Sequence, residues 1–162
     1  MLLLPHCPRI VIGHGNIFGI RAKIQPITIS SFDINIDSTS NQAVEIYYLP
    51  NIDPGFASPQ DYPYTKVFQM NVTGRGKGNV TTLPDIPVPI IIPANATYSF
   101  YITTTMTTTS AGGAQLWYNA GVAVGDIVAS DQYVKIGEGY SVSYPFQDYT
   151  KRKRWNGENT TT

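Results

Sequence analysis

The sequence predicts an all-β protein, an antiparallel β-sandwich of jelly-roll type with about ten short strands. No window places apolar residues at the i, i+3, i+4 spacing of an amphipathic helix over a helical length. Short runs of β-branched and aromatic residues recur instead, and Gly, Pro, Asn and Asp separate them. A chain of 162 residues suits one domain that buries about two-thirds of its unfolded surface.

The apolar runs predict the strands in chain order. These are Arg9–Ile12, Ile17–Ile24, Ile27–Ile36, Ala43–Leu49, Tyr64–Val72, Val80–Leu83, Val88–Ile92, Thr97–Thr104, Gln115–Tyr118 and Tyr133–Ile136. Apolar and polar residues alternate most clearly in Ile27–Ile36, where Ser30 and Ser31 shift the phase as a β-bulge or a strand bend does. The segments Pro50–Pro63 and Gly121–Ser130 are predicted to be loops.

Three regions follow from this pattern. Residues 1–15 are predicted to form an extended N-terminal arm or donor strand, residues 16–146 the sandwich, and residues 147–162 a polar C-terminal tail. The arm is apolar but is interrupted by Pro5 and Pro8, so it is neither a complete signal peptide nor a membrane span. We expect a secretion signal upstream of it. Residues Arg9–Ile12 either add to the sheet of a neighbouring copy or form the first strand of their own sandwich.

Charge and cysteine content exclude several classes of protein. The formal net charge is zero and only 14% of residues are charged, which excludes a strongly basic nucleic-acid-binding surface. Cys7 is the single cysteine, so no disulfide can form within the chain, and we expect a buried, unreactive thiol. With His6 and His14 it offers too few ligands for a structural zinc site.

Four Asn-x-Thr sequons predict N-glycosylation. Their asparagines are Asn71, Asn79, Asn95 and Asn159. This is about twice the number that the Ser and Thr content gives by chance. Because such sequons are glycosylated only in the secretory pathway, they predict an extracellular glycoprotein. The run Thr103–Thr109 is either a carrier of O-linked sugar or a strand that runs into a polar loop.

The segment Gly74–Gly78 contains three glycines and two cations, but it does not have the spacing of a phosphate-binding loop. That motif requires Gly where Asn71 stands and Ser or Thr where Gly78 stands. We therefore predict a turn that joins two strands.

No catalytic site is predicted. Neither His6 nor His14 has a recognisable partner motif for a catalytic triad. Asp33, Asp37 and Glu45 could face one another across a sheet, but eleven acidic residues supply such pairs by accident. We therefore expect no enzymatic activity and no cofactor.

Acidic loop residues could hold calcium. The candidate ligands are Asp53, Asp61, Asp126 and Asp131. None of the usual calcium-loop spacings is present, so they are predicted to be solvated turn formers.

Aromatic residues are the candidates for stacking on sugar rings. They are Tyr47, Tyr48, Tyr62, Tyr64, Trp117 and Tyr118. The alternative is that these rings fill the core or cover cross-strand neighbours, and both interpretations are expected to apply to different rings. The basic run Lys151–Arg154 is predicted to lie in a solvated turn.

Several motifs occur in an order that resembles a known family. They are Ile27–Ile34, Val44–Tyr48, Thr82–Pro84, Tyr144–Phe146 and Arg154–Gly157. Together they resemble a β-rich module that is repeated in large secreted proteins of diatoms, other microalgae and some bacteria. The resemblance spans about residues 16–157 and implies an extracellular, surface or matrix setting without catalytic residues. The chain is also similar in style to glycan-coated extracellular fibril subunits.

The predicted function is that of a structural subunit of a secreted, glycosylated filament or extracellular matrix. Copies would assemble head-to-tail by terminal strand addition, with other copies and glycans as the only partners. The residues predicted to make this contact are Leu2, Leu3, Leu4, Ile10, Val11 and Ile12. The alternative is a carbohydrate-binding or adhesion module, and a capsid-like coat protein is the third hypothesis.

Overall fold

The computed structural model describes residues 10–54, 62–105, 115–120, 126–154 and 158–161, which form strands joined by turns. The strands are β1 Ile10–Gly13, β2 Gly15–Ala22, β3 Ile27–Asn35, β4 Asn41–Leu49, β5 Thr65–Thr73, β6 Val80–Thr82, β7 Ile90–Ile92, β8 Thr97–Thr104, β9 Leu116–Ala120, β10 Ile127–Ser130, β11 Val134–Ser143, β12 Gln147–Arg154 and β13 Glu158–Thr161. Within these ranges no helix is long and apolar enough to cross a membrane.

The strands form two sheets in which every pairing is antiparallel. The large sheet has the order β1-β9-β12-β11-β2-β8-β4-β5, and β10 pairs with β11. The small sheet has the order β13-β3-β6, and β7 also pairs with β3. The predicted all-β, antiparallel class is confirmed, and the arrangement is sandwich-like.

The main core lies between the two sheets. Alternation along β2 directs Phe18, Ile20 and Ala22 toward this core. Phe18 lies 6.1 Å from Phe32 of the small sheet, and Phe100 of β8 lies 5.3 Å from Phe32, measured between ring centroids. Each buried phenylalanine contributes about 1.5–3 kcal/mol to stability. We call the face of the large sheet that meets this core its inner face, and the opposite face its outer face.

The predicted irregularity at Ser30 and Ser31 is confirmed as a bulge in β3. Ser31 pairs with Thr160 whereas Ile29 pairs with Thr161, so Ser30 is an extra residue between the two pairs. The bulge shifts the alternation by one position. Ile29 before it and Phe32 after it are therefore both buried in the core.

A second irregularity brings β11 very close to β2. The pairing register shifts between Gly137 and Tyr140. A Cβ atom added at Gly139 would lie 1.6 Å from the carbonyl oxygen of Ile17. Only glycine fits at this position.

The expected C-terminal tail at residues 147–162 is corrected by the structure. Residues Gln147–Arg154 form β12 beside β11, and Glu158–Thr161 form β13 beside β3. The basic run Lys151–Arg154 thus lies in a strand and not in a turn. The tail is predicted from the polarity of its side chains. Strand pairing, however, uses the backbone N–H and C=O groups that every non-proline residue has.

Two other predicted bounds also change. The predicted strand Tyr133–Ile136 is the start of β11, which continues to Ser143. The predicted loop Gly121–Ser130 contains β10 at Ile127–Ser130. The predicted strand Thr97–Thr104 has the same bounds as β8.

Candidate functional site

The N-terminal strand β1 lies at one edge of the large sheet. Ile10 pairs with Asn119 and Gly13 pairs with Leu116, both of β9. Within the described residues no strand pairs with the other edge of β1. β9 itself joins β12 through only two residue pairs. β1 is therefore attached to the sandwich at its periphery.

The chain becomes firmly held immediately after β1. The carbonyl oxygen of His14 accepts hydrogen bonds from the Thr103 hydroxyl at 3.0 Å and from the Thr104 backbone N–H at 2.8 Å. A Cβ atom at Gly15 would lie 2.6 Å from Tyr101 Cε2, so β2 packs closely against β8 from its first residue. The segment Gly13–Gly15 is therefore the junction between a peripheral strand and a fixed one.

The predicted assembly residues fall into two groups. Leu2, Leu3 and Leu4 lie outside the described residues. Ile10, Val11 and Ile12 form β1 of their own sheet, which is the first-strand interpretation of this segment. Pairing of the same strand with a neighbouring copy remains a prediction.

Three of the predicted glycosylation sites have exposed asparagines. Asn71 lies on β5, at the opposite edge of the large sheet from β1. Asn79 lies in the turn between β5 and β6. Asn95 lies in the turn before β8 and has a left-handed φ of 63°, which asparagine tolerates better than most residues. Asn159 belongs to β13 and pairs with Phe32.

The sequon threonines differ in their exposure. Thr73 is exposed and Thr97 is half-buried, but Thr81 is only 2% exposed. The Thr81 hydroxyl accepts a 3.0 Å hydrogen bond from the Arg75 N–H, and Asn79 Nδ2 donates to the Arg75 carbonyl at 3.2 Å. The second sequon is therefore also part of the turn.

The segment Gly74–Gly78 is a turn between β5 and β6, as predicted. Gly76 and Gly78 have φ values of 83° and 79°, a conformation that favours glycine. These glycines serve the reversal of the chain, which explains a glycine-rich segment without phosphate-loop spacing.

A second, smaller apolar cluster covers part of the outer face of the large sheet. We call it the tyrosine cluster. Its members are Ile17, Tyr47, Tyr64, Tyr101, Tyr140, Val142 and Phe146. The Phe146 ring lies 4.4 Å from Tyr101 and 5.0 Å from Tyr47, between centroids. The turn between β11 and β12 thus folds back over the sheet and covers it.

The candidate sugar-stacking rings have different environments. Tyr47 and Tyr64 belong to the tyrosine cluster, and Tyr64 shares a 2.7 Å hydrogen bond with Ser99. Tyr48 stacks on Tyr98 at 6.0 Å and packs against the main core. Tyr62 is 38% exposed. Trp117 and Tyr118 belong to β9.

Glu45 is the buried carboxylate beneath this cluster. It is 2% exposed, accepts a hydrogen bond from Tyr47, and pairs with Lys66 Nζ at 3.2 Å. Burial, together with the bond to Glu45, raises the pKa of Tyr47 well above that of a free tyrosine. The sequence alone does not predict this network. An acidic residue inside the apolar run Val44–Leu49 is a signal that a cationic partner is needed.

The three carboxylates considered for acid–base chemistry are not brought together. Glu45 lies in the large sheet, whereas Asp33 lies on β3 of the small sheet. Asp37 follows β3 and its Oδ1 accepts a 2.9 Å hydrogen bond from the Gln115 N–H. Their positions give no paired general acid and base.

The acidic residues considered for calcium include a turn former. Asp131 Oδ1 accepts hydrogen bonds from the backbone N–H groups of Tyr133 and Val134 at 2.7 and 2.8 Å. In the part of the chain that the structure describes, no three His, Cys, Asp or Glu side chains cluster as a metal site would require. Asp61 lies outside this part.

The threonine run divides at the end of β8. Thr103 and Thr104 are fully buried and bonded to His14, so these two residues are a strand and not carriers of sugar. Residues 106–109 lie outside the described ranges.

No protein-family model matches this chain, and neither does a curated protein or a solved structure. The resemblance to the algal and bacterial β-rich modules therefore rests on the sequence motifs alone.

Proposed function

We propose that this protein is a jelly-roll-like structural subunit, secreted and N-glycosylated, whose extended N-terminal arm links copies into a filament or matrix. The observation that carries the proposal is the peripheral position of β1. Among the described strands it pairs with β9 only, and it directly precedes the fixed segment that begins at His14.

Strand exchange is the mechanism. When β1 of one copy pairs with β9 of the next, it forms the same backbone hydrogen bonds that it forms within its own chain. Exchange of an identical element is a low-cost route to association, and a head-to-tail repeat that does not close grows into a filament. Ile10, Val11 and Ile12 would each add about 1.5–3 kcal/mol if they became fully buried between copies.

The position of the Asn71 sequon supports assembly through β1 and not through β5. Among the described residues, β1 and β5 stand at the two ends of the strand order of the large sheet. A sugar on exposed Asn71 of β5 would obstruct the approach of another strand to that edge. The same sugar leaves β1 accessible, so glycosylation would favour assembly through β1 and disfavour aggregation through β5.

Electron microscopy of two matched variants tests the proposal. Ile10→Asp/Ile12→Asp places two charges in β1, and we expect a dispersed, folded subunit in place of filaments. The control Ile24→Asp/Ile91→Asp makes the same chemical change at positions that are 83% and 62% exposed and lie outside β1. We expect this control to assemble as the unmodified protein does.

Two results would reject strand exchange. One is filament formation by the β1 variant at the same protein concentration. The other is untagged protein that remains monomeric at all concentrations. A synthetic peptide of residues 1–13 gives a further check, because it should compete for β9 and shorten the filaments.

A further inference from the structure

A polar groove lies on the outer face of the large sheet, beyond the tyrosine cluster. It has a volume of about 190 Å³. Gly19 and Gly137 form part of its lining together with Arg21, Lys135, Thr97 and Asp53. Thr97 of the Asn95 sequon belongs to this lining, whereas the aromatic residues discussed above do not.

Strand register explains why the groove exists. Gly19 of β2 pairs directly with Gly137 of β11, so two adjacent positions of the sheet have no side chain. Pro54 closes over part of this floor, since a Cβ atom at Gly19 would lie 3.0 Å from Pro54 Cδ. Two residues further along β2, Arg21 pairs with both Lys135 and Thr97. Long side chains therefore stand beside a floor that has none.

The groove contains charges of both signs. Arg21 is exposed and Lys135 is half-buried, and within the described ranges neither forms an ion pair. Two cations on neighbouring strands attract an anion. Asp53 adds a carboxylate, which can accept about four hydrogen bonds and is disfavoured beside a bare anion.

We propose that this groove binds an acidic sugar unit. The carboxylate or sulfate of the sugar would pair with Arg21 and Lys135, while its hydroxyl groups would donate to Asp53. A simple inorganic anion uses the cations but not Asp53, and a neutral sugar uses Asp53 but not the cations. The combination specifies a ligand that has both kinds of group.

The test is a calorimetric titration with trigalacturonate. The protein used is the dispersed variant Ile10→Asp/Ile12→Asp, so that binding is measured independently of assembly. We expect binding of trigalacturonate and much weaker binding of its methyl ester, which has lost the negative charge. If assembly does not occur through β1, this titration is unaffected, because β1 pairs with none of the groove strands β2, β8 and β11.

Substitutions locate the binding. Arg21→Gln/Lys135→Gln should weaken trigalacturonate binding by about tenfold or more, because two charge-assisted contacts are lost. The control Arg75→Gln/Lys77→Gln removes the same charge from the exposed turn between β5 and β6 and should leave binding unchanged. Asp53→Asn should weaken trigalacturonate binding but strengthen binding of inorganic sulfate.

Three outcomes would overturn the proposal. They are absence of trigalacturonate binding, equal loss in both cation variants, and equal binding of acid and ester. The source of the sugar is tested by comparing glycosylated protein before and after enzymatic removal of its N-glycans. If trigalacturonate binding increases after the N-glycans are removed, the protein's own glycans occupy the groove. Unchanged binding identifies a separate acidic polysaccharide.

Discussion

The phenolic hydroxyl of Tyr47 donates a 2.5 Å hydrogen bond to one carboxylate oxygen of Glu45, while Lys66 Nζ lies 3.2 Å from the other. Both carboxylate oxygens of an almost fully buried side chain are therefore paired. Lys66 also donates to Gln69 at 2.8 Å, which fixes its position on β5. The network joins β4 to β5 on the outer face of the large sheet.

Tyr47→Phe should destabilise the fold. Removal of the hydroxyl leaves one oxygen of buried Glu45 without its donor, which costs roughly 1–3 kcal/mol. Urea denaturation followed by circular dichroism measures the free energy of unfolding. Tyr62→Phe is the matched control at an exposed position, and we expect it to change stability by less than about 0.5 kcal/mol. Equal effects of the two substitutions would show that the Glu45 bond does not contribute.

The protein should lose stability at alkaline pH. Burial raises the pKa of Tyr64 and of Tyr101 to about 12, compared with 10.0 for a free tyrosine. The unfolded chain loses these protons first. The stability that the two protonated tyrosines contribute is therefore fully present below pH 10 and is lost as the pH rises toward 12. Melting temperatures measured across this range should fall steeply. Tyr64→Phe should reduce the slope, and a slope that this variant leaves unchanged would contradict the assignment.

Gly139→Ala should be among the most destabilising single substitutions. The added methyl group overlaps the Ile17 carbonyl, and backbone atoms on both sides would have to move. We expect a loss of about 3 kcal/mol or more. Gly78→Ala is the comparison, since nothing lies within 4 Å there and only the left-handed φ opposes it. Its expected cost is about 1–2 kcal/mol. Thermal unfolding of the two variants measures this difference, and equal losses of stability would contradict the prediction.

The two roles of the second sequon can be separated. Thr81→Val and Asn79→Gln both abolish the glycosylation motif, so each should remove one glycan mass from protein secreted by a glycosylating host. Only Thr81→Val removes the acceptor of the Arg75 N–H, and it should cost about 1 kcal/mol in sugar-free protein. Asn79→Gln changes only the exposed hydrogen bond from Asn79 Nδ2 to the Arg75 carbonyl, so it should remain within about 0.5 kcal/mol. Equal stability of the two variants would indicate that the turn does not depend on Thr81.

The sequence was sufficient to predict the elements that local pattern determines. Alternation across Ile27–Ile36 predicted both β3 and its bulge, because side-chain direction follows the backbone with a period of two. The glycine-rich segment Gly74–Gly78 predicted a turn. Both conclusions depend only on neighbouring residues.

The remaining features depend on register between distant strands. The buried charge of Glu45 has a partner because β5 places Lys66 beside it. No local sequence pattern predicts that pairing. The sequence of β12 predicts a tail because it has no apolar face. The groove also depends on strand register, since Gly19 and Gly137 become adjacent only in the folded sheet.

The pairing of β2 with β11 also sets an order of events during synthesis. Gly15 pairs with Val142, so the middle of the large sheet joins segments that a ribosome delivers far apart in time. Until β11 has been made, β2 lacks one of its two neighbours and the sandwich remains open. The Asn79 sequon emerges well before that point. A transferase that acts on the growing chain would thus meet this sequon, including the Thr81 that is buried in the finished fold, before the large sheet is complete.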